Sequence, residues 1–276
     1  MRQFAMALGL VVLPCAALAQ DLGQSGALFA LQTGDDAAGW EAVGRIDIDG
    51  KGFCTGALIA PDLVLTAAHC LFDQETGALI APDRFEFLAG LRNGRAVAYR
   101  DVRRVIAHPD YASPGAGVMD RSANDVALLE LALPIRASQI APFAVLPDAA
   151  IGAQVGVVSY AFDRAEAPAL EAACDVLGAQ AGLYVMACDV DYGSSGAPVF
   201  IVVNGVAQIV SVVSAKAEYD GQRVAIGTML DAPLAVLRAE MAASGGVFDA
   251  GAPVAVRVIG AGERNETGAR FVRPDG

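Results

Sequence analysis

Charged and aromatic residues are scarce in this chain of 276 residues. Asp, Glu, Lys and Arg make up 18% of it, and Phe, Trp and Tyr make up 7%. Hydrophobic residues reach 55%, which excludes an intrinsically disordered chain. The 19 basic residues are outnumbered by 31 acidic ones, and this balance argues against binding to the phosphates of nucleic acid. We therefore expect no nucleic-acid partner.

Long apolar runs are absent after the first twenty residues, where none reaches the roughly 18 residues of a membrane helix. The apolar run of residues 4–13 and the sequence Ala17-Leu18-Ala19 predict a signal peptide over residues 1–19, cleaved after Ala19. We expect a secreted or periplasmic protein with no membrane anchor after cleavage.

Cysteine is also sparse, and removal of the signal peptide takes Cys15 with it. Four cysteines remain in an oxidising compartment: Cys54, Cys70, Cys174 and Cys188. Four cysteines predict two disulfides, for which three pairings exist. Pairing of sequence neighbours would join Cys54 to Cys70 and Cys174 to Cys188. The rival interpretation is a zinc site that uses these thiols with His69 and His108, the only histidines. Since no Cys-x-x-Cys pair is present and His69 adjoins Cys70 in sequence, we expect no metal site. We also expect no cofactor.

Short apolar segments alternate with turn residues from Trp40 onward, which indicates an all-β protein. The chain divides into residues 20–39, a pro-segment or loose arm, and a domain over residues 40–243. Within this domain we predict barrel one at about 40–135, barrel two at about 146–232 and a terminal helix at 232–243. The tail of residues 244–276 has no assigned role. The predicted strands lie near Val43–Ile48, Phe53–Ile59, Leu63–Ala67, Phe85–Ala89, Ala96–Ile106, Val126–Leu131, Val155–Ala161, Leu183–Cys188, Ala197–Val203, Ala207–Ser214 and Arg223–Met229.

Three residues have surroundings that suit nucleophilic catalysis. His69 directly follows an apolar strand, where a general base can be held rigidly. Asp125 immediately precedes a buried strand, where a carboxylate can accept from a histidine N–H. Ser195 stands in Gly193-Ser194-Ser195-Gly196, whose glycines permit the tight bend of an oxyanion hole. Taken singly, the three also fit a structural histidine, a turn aspartate and a hairpin loop.

Five segments together resemble the chymotrypsin/trypsin-like serine proteases, and in detail the bacterial glutamyl-endopeptidase-like branch. They are Cys54–Ile59, Leu65–Cys70, His108–Tyr111, Asn124–Leu129 and Gly193–Pro198. The resemblance spans Trp40 to Leu237. It implies two six-stranded antiparallel β-barrels with a short C-terminal helix and an active site in the cleft between the barrels.

The resemblance also implies an activity, that of a serine endopeptidase acting on polypeptides through an acyl-enzyme on Ser195. His69 would be the base, and Asp125 would orient it. The N–H groups of Gly193 and Ser195 would form the oxyanion hole. The alternative is a catalytically silent homologue that binds peptides or proteins in the same cleft. We expect a monomer.

Further residues match the family's substrate-binding positions. Ser211 matches the serine beside the triad carboxylate, and its neighbours Val212 to Ser214 would form the strand along which substrate lies. Asp189 matches the floor of the primary pocket and would favour Arg or Lys, whereas Val213 could narrow this pocket and favour small residues. The histidine that the glutamyl-specific branch carries on this strand is absent.

Ser194 replaces the zymogen aspartate of trypsins, so we expect no trypsinogen-type activation.

Overall fold

Two antiparallel six-stranded barrels form the core of the computed structural model, which describes residues 27–111, 118–219 and 221–244. The predicted all-β fold with a C-terminal helix is therefore confirmed. The predicted signal peptide and most of the tail lie outside the described residues.

Barrel one closes in the strand order β2-β3-β4-β7-β6-β5. A six-residue helix, α1, precedes β7. The bounds are β2 Val43–Ile48, β3 Gly52–Ala60, β4 Leu63–Thr66, β5 Phe85–Ala89, β6 Ala98–Ala107, α1 Val118–Ala123 and β7 Ala127–Leu131.

Barrel two has the strand order β9-β10-β13-β12-β11-β8, and pairing of β8 with β9 closes it. Helix α2 follows the last strand and packs against β6 and β7 of barrel one. The bounds are β8 Gln154–Ser159, β9 Ala169–Gln180, β10 Leu183–Met186, β11 Pro198–Val203, β12 Val206–Tyr219, β13 Gln222–Met229 and α2 Asp231–Ser244.

The interface between the barrels is apolar at its centre. The rings of Trp40, Phe143 and Phe200 pack in tilted and edge-to-face contacts, with centroids 4.7 to 6.1 Å apart. Such aromatic contacts add to the free energy gained by burying their area. The barrels are therefore held at a fixed relative position, which a site shared between them needs.

No helix within the described ranges has the length and apolar character to cross a membrane.

The N-terminal segment docks on barrel two. Strand β1, Leu28–Ala30, pairs antiparallel with β9, and Leu31 is 1% exposed within the core. The Leu31 N–H donates to the carbonyl of Pro168 at 2.9 Å. A loose arm is therefore the wrong description from Leu28 onward, because the strand ladder and the buried leucine fix this segment. Its removal as a pro-segment stays a prediction.

Leu31→Ala tests this docking. We expect it to lower the free energy of unfolding by about 2–4 kcal/mol, because it leaves a cavity in the core. Leu28→Ala is the matched control, and its cost should be smaller because Leu28 is 40% exposed. Urea denaturation followed by circular dichroism measures both. Equal costs for the two variants would contradict the docking.

Candidate active site

His69 and Asp125 meet at the mouth of barrel one. His69 lies in a single 3-10 turn, Ala68–Leu71, directly after β4, and Asp125 lies between α1 and β7. Asp125 Oδ2 is 2.7 Å from His69 Nδ1, and Asp125 Oδ1 accepts the backbone N–H of His69 at 2.8 Å. Because an ionised carboxylate only accepts hydrogen bonds, the imidazole proton lies on Nδ1 and Nε2 is left as a base.

A third donor to Asp125 comes from barrel two, where Ser214 Oγ donates to Asp125 Oδ2 at 2.6 Å. The sequence-based assignment of Ser211 to this place is therefore wrong. Ser211 is fully buried, and its hydroxyl donates to the carbonyl of Thr228 at 2.8 Å. A register shift in β12 between Val213 and Ala215 turns Ser214 out of the ladder toward the carboxylate. Sequence spacing alone gave no signal of this bulge.

The surroundings of the two histidines shift their pKa values in opposite directions. Burial alone would lower the pKa of His69, but the hydrogen bond and the charge of Asp125 outweigh it, so the pKa of His69 is raised. Burial lowers the pKa of His108, despite the nearby charge of Asp110. His108 Nδ1 accepts the N–H of Asp110 at 3.3 Å, so it serves the turn after β6. The sequence-based interpretation of His108 as a structural histidine agrees with these contacts.

The loop that carries Ser195 is clamped onto barrel one. The Ser195 carbonyl accepts the N–H of Thr55 at 2.8 Å, and the Gly193 carbonyl accepts Thr55 Oγ1 at 2.9 Å. Gly196 has a φ of 77°, and a Cβ there would collide with Thr66 Oγ1 and the carbonyl of Thr55. These contacts place the backbone of Ser195 against the chain that leads from β4 to His69.

Two N–H groups of this loop are unused. The N–H groups of Ser194, Gly196 and Ala197 each donate to a backbone carbonyl. Those of Gly193 and Ser195 donate to nothing within the described ranges. Gly193 has a φ of 95°, and a Cβ there would lie 2.6 Å from the ring of Phe53. The loop can therefore offer two donors to an anionic oxygen, as an oxyanion hole requires.

The hydroxyl of Ser195 also makes no hydrogen bond to another described residue. Ser195 is only partly buried, so its side chain is open to a ligand. Hydrogen bonds between a nucleophile and its base are often long in the free enzyme and tighten when substrate binds.

Ser194 is fully buried behind this loop. Its hydroxyl donates to the carbonyl of Tyr160 at 3.2 Å, lies 3.1 Å from Ser159 Oγ, and accepts from Arg164 Nη2 at 3.3 Å. The expectation that Ser194 carries no charge for an ion pair with a new N-terminus fits these contacts. The loop is held by a neutral hydroxyl and a nearby guanidinium instead.

The cysteines pair as sequence neighbours. The disulfides are Cys54–Cys70 and Cys174–Cys188, so the pairing of neighbours is confirmed. The first disulfide ties the His69 turn to β3. Cys54, His69 and Cys70 lie close enough to hold a metal ion, as do Glu171, Cys174 and Cys188, but their sulfurs are bonded to one another. Neither cluster therefore offers the thiolates that zinc requires.

Comparison with known proteins supplies the family. A family model described as Trypsin matches residues 32–229, most of the described chain.

The chain belongs to the trypsin family.

Relatives of this trypsin-family chain match it only in part. A trypsin of Phaedon cochleariae is 38% identical over 96 residues, which are 34% of this chain and 33% of that trypsin. A modular serine protease of Drosophila melanogaster is 34% identical over 89 residues, 32% of this chain and 14% of that protease. The matches thus span a third or less of either relative.

Solved structures match the trypsin-family fold more completely. A Glu endopeptidase superposes with a TM-score of 0.65 at 20% identity, covering 80% of this chain and 98% of that one. The thermostable serine protease AL20 gives a TM-score of 0.58 at 17% identity, covering 72% and 96%. At these identities the likeness shows the fold alone.

Asp189, the residue predicted for the floor of the primary pocket, has a cationic neighbour. Asp189 is 41% exposed at its side chain, and its Oδ1 lies 3.6 Å from Arg223 Nη1. Asp191, two residues on, accepts Lys216 Nζ at 2.8 Å, and that ammonium also lies 3.8 Å from the centroid of the Tyr192 ring. Both acidic groups therefore have cationic neighbours, which the sequence analysis missed because the partners are distant along the chain.

Ser211, Val212 and Val213 do not offer the free strand edge expected of them. Val212 pairs with Pro198 of β11 on one side and Thr228 of β13 on the other. Val213 accepts the N–H of Gly196 and donates to the carbonyl of Ala197. A substrate strand therefore finds no unused backbone groups at these positions, and their assignment to the strand along which substrate lies is corrected. The narrowing of the primary pocket by Val213 stays a prediction.

The two histidines give a direct test of this geometry by NMR titration. We expect His69 to titrate above the ordinary histidine pKa of about 6.5, and His108 to titrate below it. Asp125→Asn should lower the pKa of His69 by about one unit or more, because the carboxylate charge is lost. The pKa of His108 in the same spectra is the internal control. A His69 pKa that is unchanged in Asp125→Asn would contradict the pairing.

Proposed function

We propose that this chain is a secreted serine endopeptidase of the trypsin family that hydrolyses peptide bonds through an acyl-enzyme on Ser195. The observation that carries the proposal is the hydrogen-bonded group of His69, Asp125 and Ser214 beside a loop with two unused N–H groups. Two disulfides support an oxidising compartment.

The proposed reaction begins with proton transfer. His69 Nε2 accepts the proton of Ser195 Oγ as that oxygen attacks the scissile carbonyl. Asp125 keeps the proton of the imidazole on Nδ1 and stabilises the cation that forms, while Ser214 fixes the carboxylate. The N–H groups of Gly193 and Ser195 bind the oxyanion, and each such donor is worth about 10²–10³ in rate.

The second half of the reaction uses the same groups in reverse roles. His69 gives its proton to the departing amine, which leaves an ester between Ser195 and the acyl part of the substrate. Water then attacks this ester with His69 again as base, and collapse of the intermediate returns the hydrogen to Ser195.

Ala215 and Lys216 are the residues that we propose for substrate docking, in place of residues 211–213. They pair with Ile226 and Ala225 of β13 on one side. On the other side β11 has ended, since its pairing with β12 begins at Pro198 opposite Val212. This free edge lies directly after Ser214 and can add a peptide strand by backbone hydrogen bonds.

A fluorophosphonate probe tests the proposed nucleophile. We expect one covalent adduct on Ser195, found by mass spectrometry, and its loss in Ser195→Ala and His69→Ala because attack needs both the oxygen and the base. Ser138→Ala changes an exposed serine in the segment after β7 and is the control that should label as the wild type does. A folded protein without an adduct would instead support the silent homologue.

Peptide cleavage should also depend on pH through His69. Activity should fall as acid protonates the imidazole, with a midpoint above the ordinary histidine pKa.

Cleavage of a peptide library tests the role proposed for Asp189. Its pair with Arg223 is an exposed one, worth about 0–1 kcal/mol, so the carboxylate stays available to a basic side chain. We expect enrichment of Arg and Lys before the scissile bond and its loss in Asp189→Asn. Asp175→Asn, an exposed change on the same barrel, should keep the preference. Enrichment of small residues alone would contradict this role and favour the narrowed pocket.

A further inference from the structure

Glu171 is a carboxyl group inside barrel two that the proposed reaction does not use. It lies on β9 and is 1% exposed. Its Oε2 accepts the N–H of Asp189 at 2.8 Å. Its Oε1 is buried and has no hydrogen-bond partner among the described residues. A buried polar atom left in this way is costly, and in native proteins it calls for an explanation.

The surroundings of Glu171 favour its neutral form. On β9 it is opposite Val157 of β8 and Leu28 of β1, and its carboxylate lies within 4.8 Å of the sulfurs of Cys174 and Cys188. None of these four residues carries a charge.

The charged groups that act on Glu171 within the described ranges are Asp189 and Arg164. The pKa of Glu171 is raised to about 7, chiefly by burial and further by the charge of Asp189. The hydrogen bond from the N–H of Asp189 and the charge of Arg164 oppose this rise but do not cancel it. Arg164 donates instead to Ser159 and Ser194.

Glu171 bonds to the first residue of a segment that belongs to the candidate active site. This segment runs from Asp189 to Ser195 and contains the candidate pocket residue, Asp189, and both oxyanion donors. Thr55 and Ser194 hold the far end of this segment. The hydrogen bond to Glu171 holds its beginning.

We propose that Glu171 is a positioning residue, which as a neutral acid anchors the backbone of Asp189 and on ionisation releases the segment from Asp189 to Ser195. The inference rests on the proposed peptidase function. An ionised Glu171 still accepts the N–H of Asp189, but this single donor leaves the charge of the buried carboxylate poorly solvated in an apolar barrel. The barrel therefore opens beside Glu171 to admit water, and the segment above it moves. Substrate binding and oxyanion stabilisation are then lost together.

The pH dependence of kcat/KM from pH 5 to 10 tests the proposal. We expect the wild type to lose activity above neutral pH. Glu171→Gln keeps the acceptor for Asp189 but does not ionise, so it should retain activity and lose this alkaline decline. Glu171→Leu removes the acceptor and should lower kcat/KM about tenfold at every pH. Glu75→Gln, an exposed change on barrel one, should behave as the wild type does.

An alkaline decline that is the same in Glu171→Gln and wild type would overturn the proposal, as would full activity of Glu171→Leu.

Hydrogen exchange separates this proposal from the proposed function, because it needs no activity. We would measure amide protection of the peptide spanning Asp189 to Ser195 in full-length Ser195→Ala, with and without Glu171→Gln. Protection should fall above neutral pH only where Glu171 is present. Identical protection in both proteins would overturn the proposal even if the enzyme is active. The exchange measurement does not depend on Glu171→Leu, so it tests the proposal even if that variant does not fold.

Discussion

Thr55 joins the two barrels at the point where the candidate active site forms. It is fully buried on β3 of barrel one, and all of its polar groups are used there. Its N–H and hydroxyl donate to the carbonyls of Ser195 and Gly193, its hydroxyl accepts the N–H of Tyr160, and its carbonyl accepts Thr66 Oγ1. The loop of barrel two is thereby fixed against the strand that leads to His69.

The chemistry of the site follows from this fixed junction. Asp125 has three donors on its two oxygens, and one of them, Ser214, comes from the opposite barrel. Because both barrels contribute to one buried carboxylate, its hydrogen bonds and the relative position of the barrels depend on each other. Because these groups are already in place, no free energy of reorganisation is needed during the reaction, and this would favour catalysis.

The sequence predicted the parts of this arrangement that local pattern encodes. The alternation of apolar segments with turn residues was enough to predict eleven of the strands. The motifs around His69, Asp125 and Ser195 lie next to the ends of strands that this pattern predicts. Strand β9 was missed because Ala169-Leu170-Glu171-Ala172-Ala173 has the composition of a helix. Its pairing with β8, β10 and β1 overrides that propensity.

Features that depend on contacts distant in sequence were beyond prediction. Ser211 and Ser214 are equally plausible partners of Asp125 by spacing, and only the bulge in β12 decides between them. The docking of Leu31 and the cations beside Asp189 likewise arise from tertiary packing.

A crystal structure of the fluorophosphonate adduct would show whether the two barrels assemble one catalytic centre. We expect phosphorus bonded to Ser195 Oγ and a phosphoryl oxygen about 2.7–3.1 Å from the N–H groups of both Gly193 and Ser195. We also expect His69 to remain hydrogen-bonded to Asp125. An adduct whose oxygen points away from these two N–H groups, or a His69 imidazole turned out of the cleft, would contradict it.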